Sequence, residues 1–295
     1  MQSLRLNIAA LVAAAVTIVA AVAVPQAAWA ARVGLISNNY QNQTAADFTT
    51  NVKGHTFTPI DASVNVPALA TLLQNYDVLL VFEDNTYANA TAVGNVAAAF
   101  ARTGRSVVLG TFYDQDRSDS SAALSPHGWG ALETIDPNTT DGTGTAYSPR
   151  SLDPASIVHH PLTTGVTSLF ASRFAGGNQP KVGSIVVANW QQPNAHGKPD
   201  PAIAYRISEG ACVIHVAIAP QYPSVGASNV DWGGDFYRVW RNAFDFGADH
   251  CVTGNGSIDA VTAAAIPTLS NAALALTALL IAAFAAATRL RARRR

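Results

Sequence analysis

The chain has 295 residues, of which 49% are hydrophobic and 13% charged, and its formal net charge is −1. All 19 acidic residues but only 12 of the 18 Lys and Arg residues lie in residues 31–265, so this segment has a net charge of −7. An acidic surface excludes the basic footprint that nucleic-acid binding requires. About 220 residues suit one α/β domain with a single large core.

Residues 1–30 have the features of a signal peptide. Arg5 supplies a positive charge, and the run from Ile8 to Val24 is almost entirely apolar and uncharged. Pro25 then precedes Ala28-Trp29-Ala30, a small-x-small pattern that signal peptidases accept. We therefore predict cleavage after Ala30, with an uncleaved N-terminal anchor as the alternative. Both deliver the following domain across a membrane.

Residues 31–253 begin with alternating strands and helices. The predicted strands lie at 32–37, 56–60, 77–82 and 106–109, and the helices at 45–52, 67–75 and 91–103, with Thr44 capping the first helix. The strand at 77–82 is continuously apolar, as expected for a strand covered on both faces. This order predicts an α/β fold with a doubly wound, mainly parallel sheet.

The second half of this domain is less regular. From about 112 to 145 the sequence is rich in Ser, Asp, Gly and Pro, which indicates an excursion from the edge of the sheet. Strands are predicted again at 184–189, 202–207 and 212–219. The last two are joined by Ser208-Glu209-Gly210-Ala211, which favours a tight antiparallel connection at the sheet edge. A final amphipathic helix is predicted at 235–247.

Three segments resemble the class I glutamine amidotransferase-like superfamily and its trehalose-utilisation-like relatives. They are the strand–helix–strand unit from Tyr76 to Gly110, the stretch His160-Pro161-Leu162-Thr163-Thr164-Gly165, and the strand at 212–217 with the helix around Trp240. The resemblance implies a flavodoxin- or amidotransferase-like fold. Active members carry a nucleophilic cysteine directly after the strand that corresponds to 106–109. Here that turn reads Gly110-Thr111-Phe112-Tyr113-Asp114, and the late His-x-Glu pair is also absent, so we assign no catalytic residue and no cofactor.

A set of polar side chains follows the predicted parallel strands. In such sheets, ligands bind at the carboxyl ends of the strands. We therefore predict a candidate ligand-binding rim there, which consists of Asn38, Asn39, Glu83, Asp84, Tyr113 and Asp114. Its carboxylates are also suited to acid–base hydrolysis, and the alternative without a ligand is that these residues cap the helices that follow.

Other chemistry-bearing residues give weaker patterns. The acids at 114, 116 and 119 suggest calcium, but the glycine and glutamate of an EF-hand loop are missing. His159 and His160 are adjacent and point to opposite sides of an extended segment, so no metal site is predicted. Trp129, Trp190 and Trp232 lie in predicted loops, where they either contact a glycan or anchor the loops to the interior.

The two cysteines, Cys212 and Cys251, both lie in the exported part, where disulfides persist. We predict a bridge between them, with two buried thiols as the alternative.

The C-terminal end carries a second targeting pattern. A small-residue spacer at 254–265 leads to Ile266-Pro267-Thr268-Leu269, an apolar segment at 271–288 that is predicted to be a transmembrane helix, and five terminal arginines. This order resembles the IPTL-CTERM sorting signal of Gram-negative bacteria, a relative of PEP-CTERM tails. The resemblance implies a membrane and an exosortase-like protease as partners, and a location in the cell envelope. A GPI signal fits less well because it does not normally end in an arginine cluster.

Together these patterns predict an exported envelope protein whose domain binds a glycan, a surface polymer or a protein partner without catalysis. The alternatives are a carboxylate-dependent hydrolase that acts outside the cytoplasm and a purely structural surface protein.

Overall fold

The computed structural model describes residues 30–84, 87–112, 128–140, 148–221, 223 and 231–251. Nearly all of the predicted signal peptide, the rim residues Tyr113 and Asp114, the spacer at 254–265 and the C-terminal sorting segment lie outside the described residues. None of the helices in the described part has the length and hydropathy needed to span a bilayer.

The centre of the domain is a seven-stranded, mainly parallel sheet. From one edge to the other its strands are β2 (Thr56–Asp61), β1 (Arg32–Ser37), β3 (Val78–Val81), β4 (Ser106–Gly110), β11 (Ala211–Val216), β10 (Asp200–Ser208) and β9 (Ile185–Trp190). The first five are mutually parallel, and the last two add antiparallel pairs. The prediction of a mixed α/β fold with a mainly parallel sheet is confirmed.

Four α-helices cover the two faces of this sheet. They are α1 (Gln41–Asn51), α2 (Leu69–Asn75), α3 (Ala90–Ala101) and α4 (Phe236–Ala248). Val78 and Leu80 of β3 pack into the apolar cluster that includes residues of α1 and α4, whereas Leu79 and Val81 pack into the cluster that includes α2 and α3. Because alternate residues of a strand point to opposite faces, the sheet lies between two cores.

Smaller elements fill the irregular part of the chain. Three short 3-10 helices lie at Gly130–Thr134, Pro154–Ser156 and Pro161–Thr163. A two-stranded ribbon, called the β5–β8 ribbon below, consists of β5 (Asn138–Thr140) and β8 (Asn178–Pro180). A three-stranded sheet contains β6 (Arg150–Ser151), β7 (Leu169–Ala171) and β12 (Trp232–Gly234).

The start of α1 differs from the prediction. The helix begins at Gln41 instead of Ala45, and Thr44 lies inside it, where its hydroxyl donates a hydrogen bond to the Tyr40 carbonyl (2.9 Å). Tyr40 has a left-handed backbone (φ 60°), and this reverses the chain directly after β1. The predicted Thr44 cap is therefore wrong, because threonine hydroxyls also bond to the carbonyl four residues earlier within a helix.

The tight antiparallel connection between β10 and β11 is confirmed. Glu209 and Gly210 connect Ser208 to Ala211, and both have positive φ angles, 54° and 75°. Two consecutive residues with positive φ are typical of the hairpin turns that match the twist of the flanking strands.

The predicted disulfide is also confirmed. Cys212, the second residue of β11, is bonded to Cys251, which follows α4, and their Cα atoms are 6.2 Å apart. Both residues are buried. The bridge fastens the end of the last described helix to a central strand of the sheet.

The described chain enters and leaves at one edge of the parallel sheet. Ala31 precedes β1, and Cys251 is bonded to Cys212 near the start of β11. Since β1 and β11 are parallel members of one sheet, both points lie at the edge where the parallel strands begin. The carboxyl ends of those strands, with the predicted rim, form the opposite edge.

The outermost strand, β2, contains a proline. Thr56 donates its N–H group to the carbonyl of Ala31, directly before β1, and Ala62 donates to that of Ser37, the last residue of β1. Since the direction of N–H groups alternates along a strand, the backbone nitrogen of Pro59 faces away from β1, on the open side of β2. Pro59 thus occupies an edge position where its missing N–H breaks no bond within the sheet.

Candidate functional site

The carboxyl ends of β1 and β3 form the point where the strand order reverses. From β1 the chain passes first to β2 on one side and then to β3 on the other. In open α/β sheets, the connections diverge at such a point, and ligands usually bind in the crevice outside the carboxyl ends of the strands. Asn38 and Asn39 follow β1, and Glu83 and Asp84 follow β3 by one residue.

Asp84 is the centre of a hydrogen-bond network at this crevice. Its Oδ2 accepts a bond from Asn39 Nδ2 (3.0 Å), and its Oδ1 accepts one from Gln221 Nε2 (3.1 Å). Its backbone N–H donates to Asn38 Oδ1 (3.1 Å). These four residues, called the rim cluster below, join the segments that follow β1, β3 and β11.

Glu83 lies beneath the rim cluster and has no exposed surface. Its carbonyl oxygen accepts a hydrogen bond from the backbone N–H of Phe112 (3.0 Å), which joins the ends of β3 and β4. Burial, with a smaller contribution from the Glu83 charge, raises the pKa of Tyr87 well above its usual value. The Tyr87 hydroxyl therefore stays protonated and donates to the carbonyl of Phe82 (2.9 Å).

Two further buried polar atoms lie near the same edge. The side chain of Thr111 follows β4, and that of Gln41 opens α1; both residues are at least nine-tenths buried. Within the described part of the chain, Thr111 Oγ1 and Gln41 Oε1 have no hydrogen-bond partner in the protein. Buried polar atoms are normally satisfied by protein, water or ligand, so these atoms need a partner from outside the described chain.

The structure thus brings together three of the six predicted rim residues, Asn38, Asn39 and Asp84, and places Glu83 directly below them. Gln221, fully buried, is the member that the sequence did not reveal. Its only signal is its place after the end of β11, a strand parallel to β4. That the rim binds a ligand stays a prediction.

The Asp84 carboxylate is held in place within the rim cluster. Both Asp84 oxygens accept bonds from carboxamide N–H groups, which hold the carboxylate in one orientation. The end of β4 is also closely packed, because a Cβ atom at Gly110 would lie 2.9 Å from Pro220 Cδ and 3.2 Å from the Trp240 ring.

The three tryptophans that were predicted to contact a glycan or anchor loops have different environments. Trp129 and Trp190 are buried, and Trp129 packs edge-on against Tyr87 (5.4 Å between ring centroids). Both rings pack in the interior. The prediction that these tryptophans lie in loops is wrong for Trp190, the last residue of β9, and for Trp232, the first residue of β12. Trp232 is half-buried and packs against Tyr237 (5.3 Å).

The His160-Pro161-Leu162-Thr163 stretch acts as a helix cap in this chain. His160 Nδ1 accepts a hydrogen bond from Leu162 N (3.2 Å), and Thr163 Oγ1 accepts one from His160 N (3.2 Å). The His160 ring stacks on Tyr205, with 5.0 Å between centroids. Burial lowers the pKa of His160, which keeps the ring neutral as this cap requires. Across the described ranges, no three His, Cys, Asp or Glu side chains come together as metal ligands.

Comparison with known proteins identifies the C-terminal segment. Residues 264–295 match the IPTL-CTERM motif. The match includes Ile266-Pro267-Thr268-Leu269 and the terminal arginines, so the sorting motif is confirmed. A C-terminal sorting signal of this kind implies export and association with the cell envelope in bacteria.

The domain itself has only distant likenesses. A β-galactosidase from Rahnella sp. R3 is 15% identical (68% of this chain, 31% of that chain, TM-score 0.41). A putative ThuA-like protein from Bacteroides uniformis is 15% identical (72% and 89%, TM-score 0.46). The carbohydrate deacetylase Agd3 is 13% identical (75% and 33%, TM-score 0.41).

This chain spans about a third of the length of the galactosidase and the deacetylase. Likenesses at this level carry no argument about activity, and they do not confirm the amidotransferase resemblance. No curated protein matches the chain.

Proposed function

We propose that this chain is an envelope-sorted protein whose amidotransferase-like, non-catalytic domain binds a neutral, hydroxyl-rich ligand, such as a glycan, through the rim cluster. The observation that carries the proposal is the Asp84 network with Asn39 and Gln221 at the reversal point of the strand order. That network fixes a carboxylate and several carboxamides in one crevice.

The chemistry of these groups suits hydroxyls. A sugar hydroxyl both donates and accepts hydrogen bonds, and carboxylate and carboxamide groups offer both complementary roles. The unsatisfied Thr111 Oγ1 and Gln41 Oε1 add a hydroxyl and an acceptor near the same edge. The net charge of −7 on residues 31–265 disfavours a polyanionic ligand.

Tyr113 and Asp114 belong to this proposal as additional rim residues.

Binding by the mature protein to an array of neutral and acidic glycans, followed by calorimetry on the best ligand, tests this proposal. Asp84→Ala is expected to weaken binding by about 10- to 100-fold, the effect of losing one or two charge-assisted hydrogen bonds. The control is Asp249→Ala, which removes the same charge from an exposed position after α4, at the opposite edge. Equal affinity of Asp84→Ala and wild type would refute a role for the rim. Release of cleaved sugars by the wild type would instead favour the hydrolase.

The sorting part of the proposal has its own test. We expect mass spectrometry of the protein from envelope fractions to show a mature N-terminus near Ala31 and processing near Pro267-Thr268. Deletion of residues 266–295 is expected to release the domain from the envelope into the surrounding fraction. Unchanged envelope retention of the truncated protein would contradict sorting through this segment.

A further inference from the structure

The β5–β8 ribbon carries two buried asparagines on one face. Asn138 pairs with Pro180 and Thr140 with Asn178, so Asn138 and Asn178 are diagonal neighbours across the ribbon. Side chains of directly paired residues lie on the same face of a ribbon, and so do those of residues two apart in one strand. Pro180 pairs with Asn138 and is two residues from Asn178, so both asparagines lie on the same face. Asn138 is 3% exposed and Asn178 is 0% exposed. Both asparagine side chains are therefore turned to the interior, whereas Pro180 on the same face is exposed.

His215 of β11 lies opposite this face. Asn138 Nδ2 donates to His215 Nδ1 at 2.9 Å, so the hydrogen bond assigns the ring proton to Nε2. Burial, with a smaller effect of the Lys181 charge, lowers the pKa of His215 to about 3. The imidazole is therefore neutral near pH 7, and the space between the ribbon and β11 is polar but uncharged on this side.

Three amide atoms facing this space have no partner. In the part of the chain that the structure describes, Asn178 Oδ1, Asn178 Nδ2 and Asn138 Oδ1 make no hydrogen bond. The Asn178 backbone is fully engaged, since its N–H donates to Asp200 Oδ1 (3.1 Å) and its carbonyl accepts from Asn194 Nδ2 (3.0 Å). The side chain is thus held in place with both of its polar atoms unused.

The surrounding charges are already compensated. Asp200 Oδ2 accepts a bond from Gly177 N (2.7 Å) and lies 3.5 Å from Arg150 Nε. Asp136 forms an ion pair with Lys181. An ion would therefore gain no unpaired counter-charge here, and a small neutral molecule that both donates and accepts hydrogen bonds fits the buried amide atoms.

We propose that Asn138, Asn178 and His215 enclose an internal hydration site, in which one or two ordered water molecules link the β5–β8 ribbon to β11. Internal water is the usual partner of buried polar groups that protein atoms leave unsatisfied, and each such water makes about three hydrogen bonds. The three free amide atoms supply that number. The site is separate from the rim cluster and does not depend on the proposed function.

A crystal structure of the mature protein at about 1.5 Å resolution tests the site directly. We expect water oxygen atoms within about 3.2 Å of Asn178 Oδ1 and Nδ2. An absence of density there, or contact of these atoms with another protein group, would overturn the proposal.

A substitution provides a second, independent measurement. Removing a buried amide that has no partner is neutral or stabilising, whereas removing one that binds water is destabilising. Asn178→Leu is therefore expected to lower the Tm by roughly 3 to 6 °C. An unchanged or higher Tm would show that the space is dry.

Asn242→Leu is the matched control for this substitution. Asn242 is a buried asparagine that donates to the carbonyls of Leu162 (3.2 Å) and Thr164 (2.9 Å), so its loss must lower the Tm whether or not the other site is hydrated. If Asn178→Leu does not fold, the crystal structure of the wild type alone decides the question.

Discussion

Loss of the Cys212–Cys251 bridge should lower the free energy of unfolding strongly. The cysteines are 39 residues apart in the sequence. Cross-linking a loop of this size restricts the unfolded chain by about 4 kcal/mol in the chain-entropy model. For a domain of about 220 residues, 1 kcal/mol changes the Tm by roughly 2 to 4 °C. We therefore expect the double variant Cys212→Ala/Cys251→Ala to unfold roughly 8 to 16 °C below the oxidised wild type.

Urea unfolding of wild type, both single variants and the double variant separates the cross-link from side-chain packing. Each single variant already lacks the bridge, so the two single variants and the double variant should lose nearly the same free energy of unfolding. The m-value should rise in all three, because the unfolded chain without a cross-link exposes more surface. Additive losses with an unchanged m-value would refute the reasoning, since they would show that the sulfur atoms act only by packing.

Three further predictions concern stability. His215 has a pKa of about 3 in the fold, whereas a histidine in the unfolded chain has a pKa near 6.5. Its contribution to the free energy of unfolding is therefore complete above pH 6.5 and is lost as the pH falls toward 3. In urea titrations, wild type should lose up to about 1.4 kcal/mol of this free energy per pH unit below 6.5, and His215→Gln should lose less. Gly94→Ala should cost about 3 kcal/mol or more, because the new Cβ would overlap the Trp129 carbonyl, whereas Gly233→Ala, with no atom within 4 Å, should change the unfolding midpoint little. Tyr237→Phe removes the bond from the hydroxyl to Asp47 Oδ1 (3.0 Å) and should cost about 1 kcal/mol by the same measurement, which equal stability of this variant and wild type would contradict.

The strands of the parallel sheet were predictable because burial on both faces leaves a continuous apolar run. Residues 78–81 have no exposed surface, and the predicted strand at 77–82 contains all of β3. The start of α1 was not predictable in the same way. It depends on the left-handed backbone of Tyr40, a conformation that the local residue types do not favour.

The rim could be predicted only in part for a similar reason. Asn38, Asn39 and Asp84 follow recognisable strands. The rule that ligands bind at the carboxyl ends of parallel strands therefore locates them. Gln221 lies five residues beyond Val216, where β11 ends, in a segment without periodicity, and its contact with Asp84 spans 137 residues of sequence. The β5–β8 ribbon is likewise formed by two three-residue strands, which are too short to give a pattern.

Pro59 on the open side of β2 has a consequence for association between copies of this chain. A second chain that tried to extend the sheet from β2 would find no backbone donor at the middle of the strand, and Asp61 would bring a negative charge close to it. Self-association by strand addition, a common route to fibres for unprotected strands, is therefore disfavoured here. Copies of the domain that come close together are thus not expected to join along this side.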